Sequence, residues 1–386
     1  MSFWYSVINL VLVFAAVQGA CAMLIYVERR VAAWVQDRYG PNRVGPQGLL
    51  QSVADGLKFL LKEDVIPAHV DRRLFLLAPC VSLVTAMFAF AVVPFGPTDP
   101  ASDGYQAVIA PHIDIGILYI FAVGSLAVYG VILGGWSANN KYSLLGGLRS
   151  SAQIISYEIP LGLSVLGVIL MAGSFNLEKI IGQQAGSNWP IWNVFLQPLG
   201  FLLFMTSAFA ETNRLPFDLP EAEQELVGGY HTEYSAMKFA LFFLGEYANV
   251  ITSSFLMVIL FFGGWHFPFV ATADTPAWLG FFMKFLVITL KVTLMIVFIM
   301  VVRWTIPRFR FDQLMALAWK VLIPLALVNL VAVMAVLELK RVTGTPGLEW
   351  LLLPISIAAI LGAGWVAARM PGQQTRETAS ELGARG

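Results

Sequence analysis

Residues 210–234, "AETNRLPFDLPEAEQELVGGYHTEY", carry Glu211, Asp218, Glu221, Glu223, Glu225 and Glu233 against one arginine, Arg214. Crowded carboxylates raise one another's pKa and share protons, so the chemistry this spacing suits is proton handling. The plain alternative is a solvated acidic loop. Three features argue against it. Leu215, Phe217, Leu219, Leu226 and Val227 are interleaved with the acids, and a free loop has no use for them. Pro216 and Pro220 restrict the backbone. Glu221, Glu223 and Glu225 alternate, so an extended backbone aims all three one way, whereas a helix puts only Glu221 and Glu225 on one face.

Other charges stand inside apolar stretches: Glu158 in "ISYEIPLG", Glu246 in "FLGEYAN" with Asn249 and Ser253 on its helical face, and Lys284 and Lys291 a heptad apart. A charge within a membrane span costs about 2.5–3.5 kcal/mol on insertion scales, which makes each a functional candidate. At 1.5 Å per residue, Glu211 is expected near the surface, Glu158 roughly 9 Å in, Glu246 roughly 12 Å in and Lys291 roughly 17 Å in. Lys284 is close enough to the outer end to snorkel. The series reads as a proton path entering from one face. Ion pairs between spans are the alternative for any single member.

The elements that must position these groups follow from composition. The chain is 58% hydrophobic and 12% charged, with a mean hydropathy of +0.73, whereas soluble domains carry about 25% charged residues. A window of about 19 residues places spans near 4–26, 74–94, 113–135, 152–172, 191–210, 238–262, 280–302, 320–338 and 349–368. The expected fold is all-α: a polytopic membrane protein of about nine transmembrane helices, forming one integral membrane domain over 1–386. The first span lacks the basic start and cleavage site of a signal peptide. Connection 27–73 holds Arg29, Arg30, Arg38, Arg43, Lys58, Lys62, Arg72 and Arg73, and connection 95–112 holds no Lys or Arg. The positive-inside rule then puts Met1 outside and connections 27–73, 211–237 and 303–319 in the cytoplasm. Connection 339–348, with Lys340 and Arg341, fits this poorly.

Within the first connection, "GPNRVGP" is turn material. After it Leu49, Leu50, Val53, Leu57, Leu60 and Leu61 recur at helical spacing, with Ser52, Asp55, Lys58 and Lys62 elsewhere. This predicts an interfacial amphipathic helix, either capping the bundle or lining an entrance for an amphiphilic molecule. In "RWTIPRFRFDQLMALAW", arginines alternating with aromatics anchor a chain at the headgroups; alternatively Arg303, Arg308 and Arg310 pair with the acids of 211–233.

Cys21 and Cys80 have no metal-ligand spacing, and His69, His112, His231 and His266 stand singly, so no metal site is expected. Neither a dinucleotide fingerprint nor a Walker loop occurs. A redox centre, if one is used, belongs to a neighbour.

Taken together, "ETNRLPFDLPEAEQELVGGYHTEYS", "GPNRVGPQGLLQSVADGLKFLLKED", "SYEIP", "LGEYAN" and "PRFRFDQLM" resemble the quinone-module membrane subunit of respiratory complex I: the H-type membrane subunit of bacterial NADH-quinone oxidoreductase, equivalent to subunit 1 of the mitochondrial NADH dehydrogenase. The resemblance covers roughly residues 5 to 340. It leaves 349–386 as an extra C-terminal span and tail. The resemblance implies a component of the proton-translocating enzyme, in the bacterial inner membrane, with quinone as substrate and with FMN and iron–sulfur clusters only in partner subunits. It implies that the chain forms the entrance and floor of the quinone chamber. By motif position, the family's acidic chain would fall on Glu158, Glu211, Asp218, Glu221, Glu223, Glu225 and Glu246, and the quinone path on Arg29, Arg38, Asp55, Lys58, Arg214, Phe217, Arg303 and Arg310.

Two other classes are weighed. A proton-coupled secondary transporter generally shows internal repeats, and no motif is duplicated between the halves. A passive anchor for a soluble enzyme needs no acids inside several spans. Within related families, the membrane component of a membrane-bound hydrogenase is the alternative.

Overall fold

The computed structural model describes residues 3–96, 108–110, 113–185, 192–218, 228–268, 270, 277–345 and 347–369. Among them the chain is helical, with no strand. The long helices are α1 (Phe3–Val35), α3 (Arg72–Ala89), α4 (Gly116–Ser137), α5 (Lys141–Ala172), α9 (Ala236–Phe261), α10 (Ala277–Thr305), α12 (Ile323–Thr343) and α13 (Leu352–Arg369). Short ones are α2 (Gln51–Leu61), α6 (Leu177–Ala185), α7 (Asn193–Leu196), α8 (Pro198–Glu211) and α11 (Phe311–Leu317), the last running through one π turn into α12. Among the described residues, eight helical stretches are long and apolar enough to cross a membrane. This is an integral membrane protein.

Eight of the nine expected spans are present at full length. The fifth, expected over 191–210, is the exception. The helix breaks at Gln197 (φ −126°, ψ 62°), between α7 and α8, leaving α8 with 14 residues, about 21 Å of helix against a hydrocarbon core of about 30 Å.

The bundle has two unlike ends. One gathers residues 27–73, 137–141, 211–218, 228–236 and 303–311: the Asn139 side chain donates to His69 O (3.0 Å), Asn140 to Glu233 (2.7 Å) and Phe309 N to Pro216 O (3.2 Å). This charged end contains the connections expected to share a membrane face. The other, far end joins Ile117 N to Phe175 O and Asn193 to Leu260 O.

α2 lies beside α1, where Ser52 Oγ donates to Ala22 O (2.6 Å) and Arg29 pairs with Asp55 (2.6 Å). The turn before it is closed by Gly48, whose positive φ of 79° and missing Cβ let the Pro41 carbonyl pack directly against it. The leucines expected on the apolar face, Leu49, Leu50, Leu57, Leu60 and Leu61, are all exposed, as is Val53. In a bilayer that face meets lipid.

Candidate functional site

α9 carries the centre of the site. Glu246 stands on it with two nitrogen-bearing neighbours: Arg214 at 3.9 Å and His231 Nε2 at 3.5 Å. Arg214 lies just beyond the end of α8, where the Gln153 side chain of α5 clamps the turn by donating to Ala210 O (3.0 Å), Asn213 Oδ1 (3.2 Å) and Phe217 O (2.9 Å). The guanidinium also lies 3.8 Å from Glu28 on α1 and 4.4 Å from the Tyr247 ring centroid. Glu28 in turn accepts from Tyr247 Oη (2.6 Å) and from Arg303 on α10. The Glu28 and Glu246 side chains are each only 13% exposed, so these ions are held largely by one another.

Glu28 also lines a mouth at the charged end. This is a cavity of about 500 Å³ walled by Arg29, Ala32, Arg38, Tyr39, Gly40, Pro41 and Trp304.

On the other side of Glu246, Asn249 and Ser253 face a second cavity of about 30 Å³, shared with Glu211, Thr85, Thr252 and Gly124. That volume suffices for roughly one or two waters. Glu158 is beyond it, bonded to Ser125 of α4 and close enough to Glu211 for their charges to interact.

The acids do not descend as a ladder. Counted from the far ends of their helices, Glu158 is 14 residues from Ala172, Glu211 is 13 from Pro198 and Glu246 is 15 from Phe261. At 1.5 Å per residue all three lie roughly 20–22 Å from that end. Glu211 is therefore deep, not near the surface as its place at a span end suggested. The reason is the shortness of α8, which ends well inside the bundle. Nor is Glu246 isolated; the connection folds back to give it Arg214 and His231.

The remaining expected residues divide. Asp218 is buried and pairs with Arg308 at 3.6 Å, so one arginine of 303–310 does meet an acid of 211–233. Arg303 reaches Glu28 instead. Arg29, Asp55 and Arg38 lie along α1, α2 and the mouth, whereas Lys58 is exposed on α2. Phe217 is packed edge-on to Tyr157 (5.5 Å) and against Phe309 (5.8 Å). Arg310 is exposed at the start of α11. Glu221, Glu223 and Glu225 lie outside the described residues. Lys291 lies midway along α10, and its ammonium meets the far end of α9, donating to Phe262 O (2.7 Å), Gly264 O (3.0 Å) and His266 O (2.7 Å) and lying over Trp192 (4.6 Å). Burial, together with the neighbouring Lys291, lowers the His266 pKa below the usual imidazole range, which keeps that ring neutral.

Sequence reasoning missed Glu28, His231 and Tyr247. Glu28 falls just beyond the span expected over 4–26, whereas α1 continues to Val35 and carries it. His231 was one of four scattered histidines. No metal-holding cluster occurs among the described residues.

Comparison with known proteins decides the family. The sequence profile of the NADH dehydrogenase family matches residues 8–334. The chain belongs to this family. It is 48% identical over 310 residues to an H-type subunit of the NADH-quinone oxidoreductase of Cytophaga hutchinsonii, covering 79% of this chain and 89% of the relative. It is 48% identical over 339 residues to subunit 8 of the Rhodothermus marinus enzyme (86% and 96%). The H-type subunit of the Protochlamydia amoebophila enzyme is 50% identical over 313 residues (81% and 91%). The resemblance drawn from the motifs is borne out. α13, at Leu352–Arg369, lies beyond the matched region.

Proposed function

We propose that the chain is the H-type membrane subunit of a proton-translocating NADH-quinone oxidoreductase, forming the entrance and floor of its quinone chamber. The observation that carries this reading is a single run of groups. It leads from the mouth at Glu28, Arg38, Tyr39 and Trp304, through Arg214 to Glu246, and on by Asn249 and Ser253 to Glu211 and Glu158. Reduction of a quinone takes up two electrons and two protons. Charge changes at the mouth are felt by Glu28, which faces Arg214 as Arg214 faces Glu246, and Asn249 and Ser253 share the inner cavity with Glu211. FMN and iron–sulfur clusters belong to partner subunits, which deliver the electrons. Glu221, Glu223, Glu225 and Asp218 would extend the acidic chain towards the cytoplasm, with Met1 outside. Lys291 is assigned to holding the far end of α9, because its donors are spent on backbone carbonyls.

The entrance is read as lateral, between α1 and α2, because α2 turns its leucines outward at the interface. Leu61→Asp is expected to impair reduction of long-tailed quinones more than short-tailed ones. NADH oxidation with an artificial acceptor should stay at its wild-type level. Equal losses with both quinones would remove the lateral entrance from the account.

A further inference from the structure

Arg214 is nearly equidistant from two carboxylates, 3.8 Å from Glu28 and 3.9 Å from Glu246. Neither separation is a close hydrogen bond. What distinguishes the two acids is their second cation. Glu28 has Arg303, whose charge is permanent. Glu246 has His231, and histidine is the side chain whose charge ordinarily changes between about pH 5 and 8.

His231 is built into place. It ends a 3₁₀ turn, Gly229–His231, and is buried. Gly229 has a positive φ of 58° and packs so closely on α5 that a Cβ on Gly146 would lie 2.7 Å from its Cα. The imidazole is boxed by Tyr230 (ring centroids 3.7 Å), Phe239 (5.5 Å) and Phe242 (5.3 Å). Such a ring cannot swing away when its charge changes. The other charged groups around the turn are already engaged. Lys238, two turns earlier on α9, binds Asp64 (2.5 Å), and Glu233 accepts from Asn140 (2.7 Å). Tyr234 bonds Ser137, and burial pushes its hydroxyl up to about 12, so it stays neutral. α4 and α5 meet the turn with Gly134 and Gly146.

We propose that His231 is a positioning residue whose protonation decides which carboxylate Arg214 binds. Protonated, it holds Glu246 and releases Arg214 to Glu28 at the mouth. Neutral, it leaves Glu246 to Arg214, and the mouth keeps a barer carboxylate. The fixed ring and the intermediate guanidinium make a two-position device. This inference rests on the reading of the mouth as the quinone site.

The test uses the intact complex in membrane vesicles, with turnover normalised to NADH oxidation by an artificial acceptor. KM for a short-tailed quinone is measured across about pH 5 to 8 for wild type, His231→Gln and His231→Asn. The variant-to-wild-type ratio of KM is expected to change by about fivefold or more across that range, the size of an ordinary coupling between sites. A ratio that stays constant with pH overturns the inference, since a merely structural histidine would shift KM uniformly. If neither variant assembles, Glu28→Gln, which removes one of the two carboxylates flanking Arg214, must give the pH-dependent ratio; a constant one again overturns it. Failure of the underlying quinone-site reading looks different. Glu246→Gln would then turn over normally, whereas failure of this inference alone leaves Glu246→Gln impaired and the His231 ratio flat.

Discussion

At its far end α9 is fastened by direct hydrogen bonds to backbone carbonyls, whereas at the level of Glu246 it is held by the looser contacts of Arg214 (3.9 Å) and His231 (3.5 Å). Gln184 donates to Ile259 O (3.0 Å), Asn193 to Leu260 O (2.8 Å), and Lys291 places its three donors on Phe262 O, Gly264 O and His266 O. Ile259 O and Leu260 O are among the carbonyls that a helix terminus leaves without partners, and Phe262, Gly264 and His266 follow directly after it. An ammonium with three acceptors has nothing left to exchange. Around Glu246, by contrast, Arg214 lies between two acids and Glu246 between Arg214 and His231, so alternative pairings exist. The same helix is thus pinned at one end and responsive partway along. Buried ions are costly when unpaired and replaceable when shared, which suits the responsive region to coupling.

The largest effect that would break this contrast is removal of the shared cation. Arg214→Gln leaves Glu28 and Glu246 competing for Arg303 and His231, a loss of about 3–5 kcal/mol for a buried charge deprived of its partner. Assembled complex should fall sharply, and what remains should lose quinone-linked turnover. Normal abundance with normal turnover would mean that Arg214 is dispensable and the network is not one unit.

A smaller effect sharpens the other side. Lys291→Met uncaps carbonyls at the far end, at about 1.5–3 kcal/mol for a charge-assisted hydrogen bond. Thermal stability and abundance of the complex should drop, with turnover per assembled complex unchanged. A collapse of turnover at normal abundance would put Lys291 back among the coupling groups.

These two regions also differ in how far the sequence announced them. Membrane class, span positions, the amphipathic α2 and the buried acids Glu158 and Glu246 were legible, because long apolar runs leave charged residues conspicuous. Family membership was legible from "ETNRLPFDLPEAE" and its companions. The level of the acids was not, since depth was counted along the sequence and α8 is only 14 residues long, beginning after the break at Gln197. Nor were the partners: Glu28 lies 186 positions from Arg214 and 275 from Arg303, and no periodicity links residues so far apart. Lys291 looked like a mid-membrane charge in want of an acid. Its partners are backbone carbonyls, which sequence patterns do not display.

The central claim, that Glu246 couples quinone chemistry to protons, is tested most directly by Glu246→Gln in membrane vesicles. Quinone-linked NADH oxidation per assembled complex and proton pumping are recorded together. Gln keeps the shape of the side chain and removes its charge, so Arg214 retains Glu28 as a partner. The account predicts that turnover and pumping per complex fall in parallel while abundance stays near wild type, with Glu246→Asp retaining part of both. Normal turnover and pumping per complex at reduced abundance would contradict it, and would make Glu246 a structural ion-pair partner.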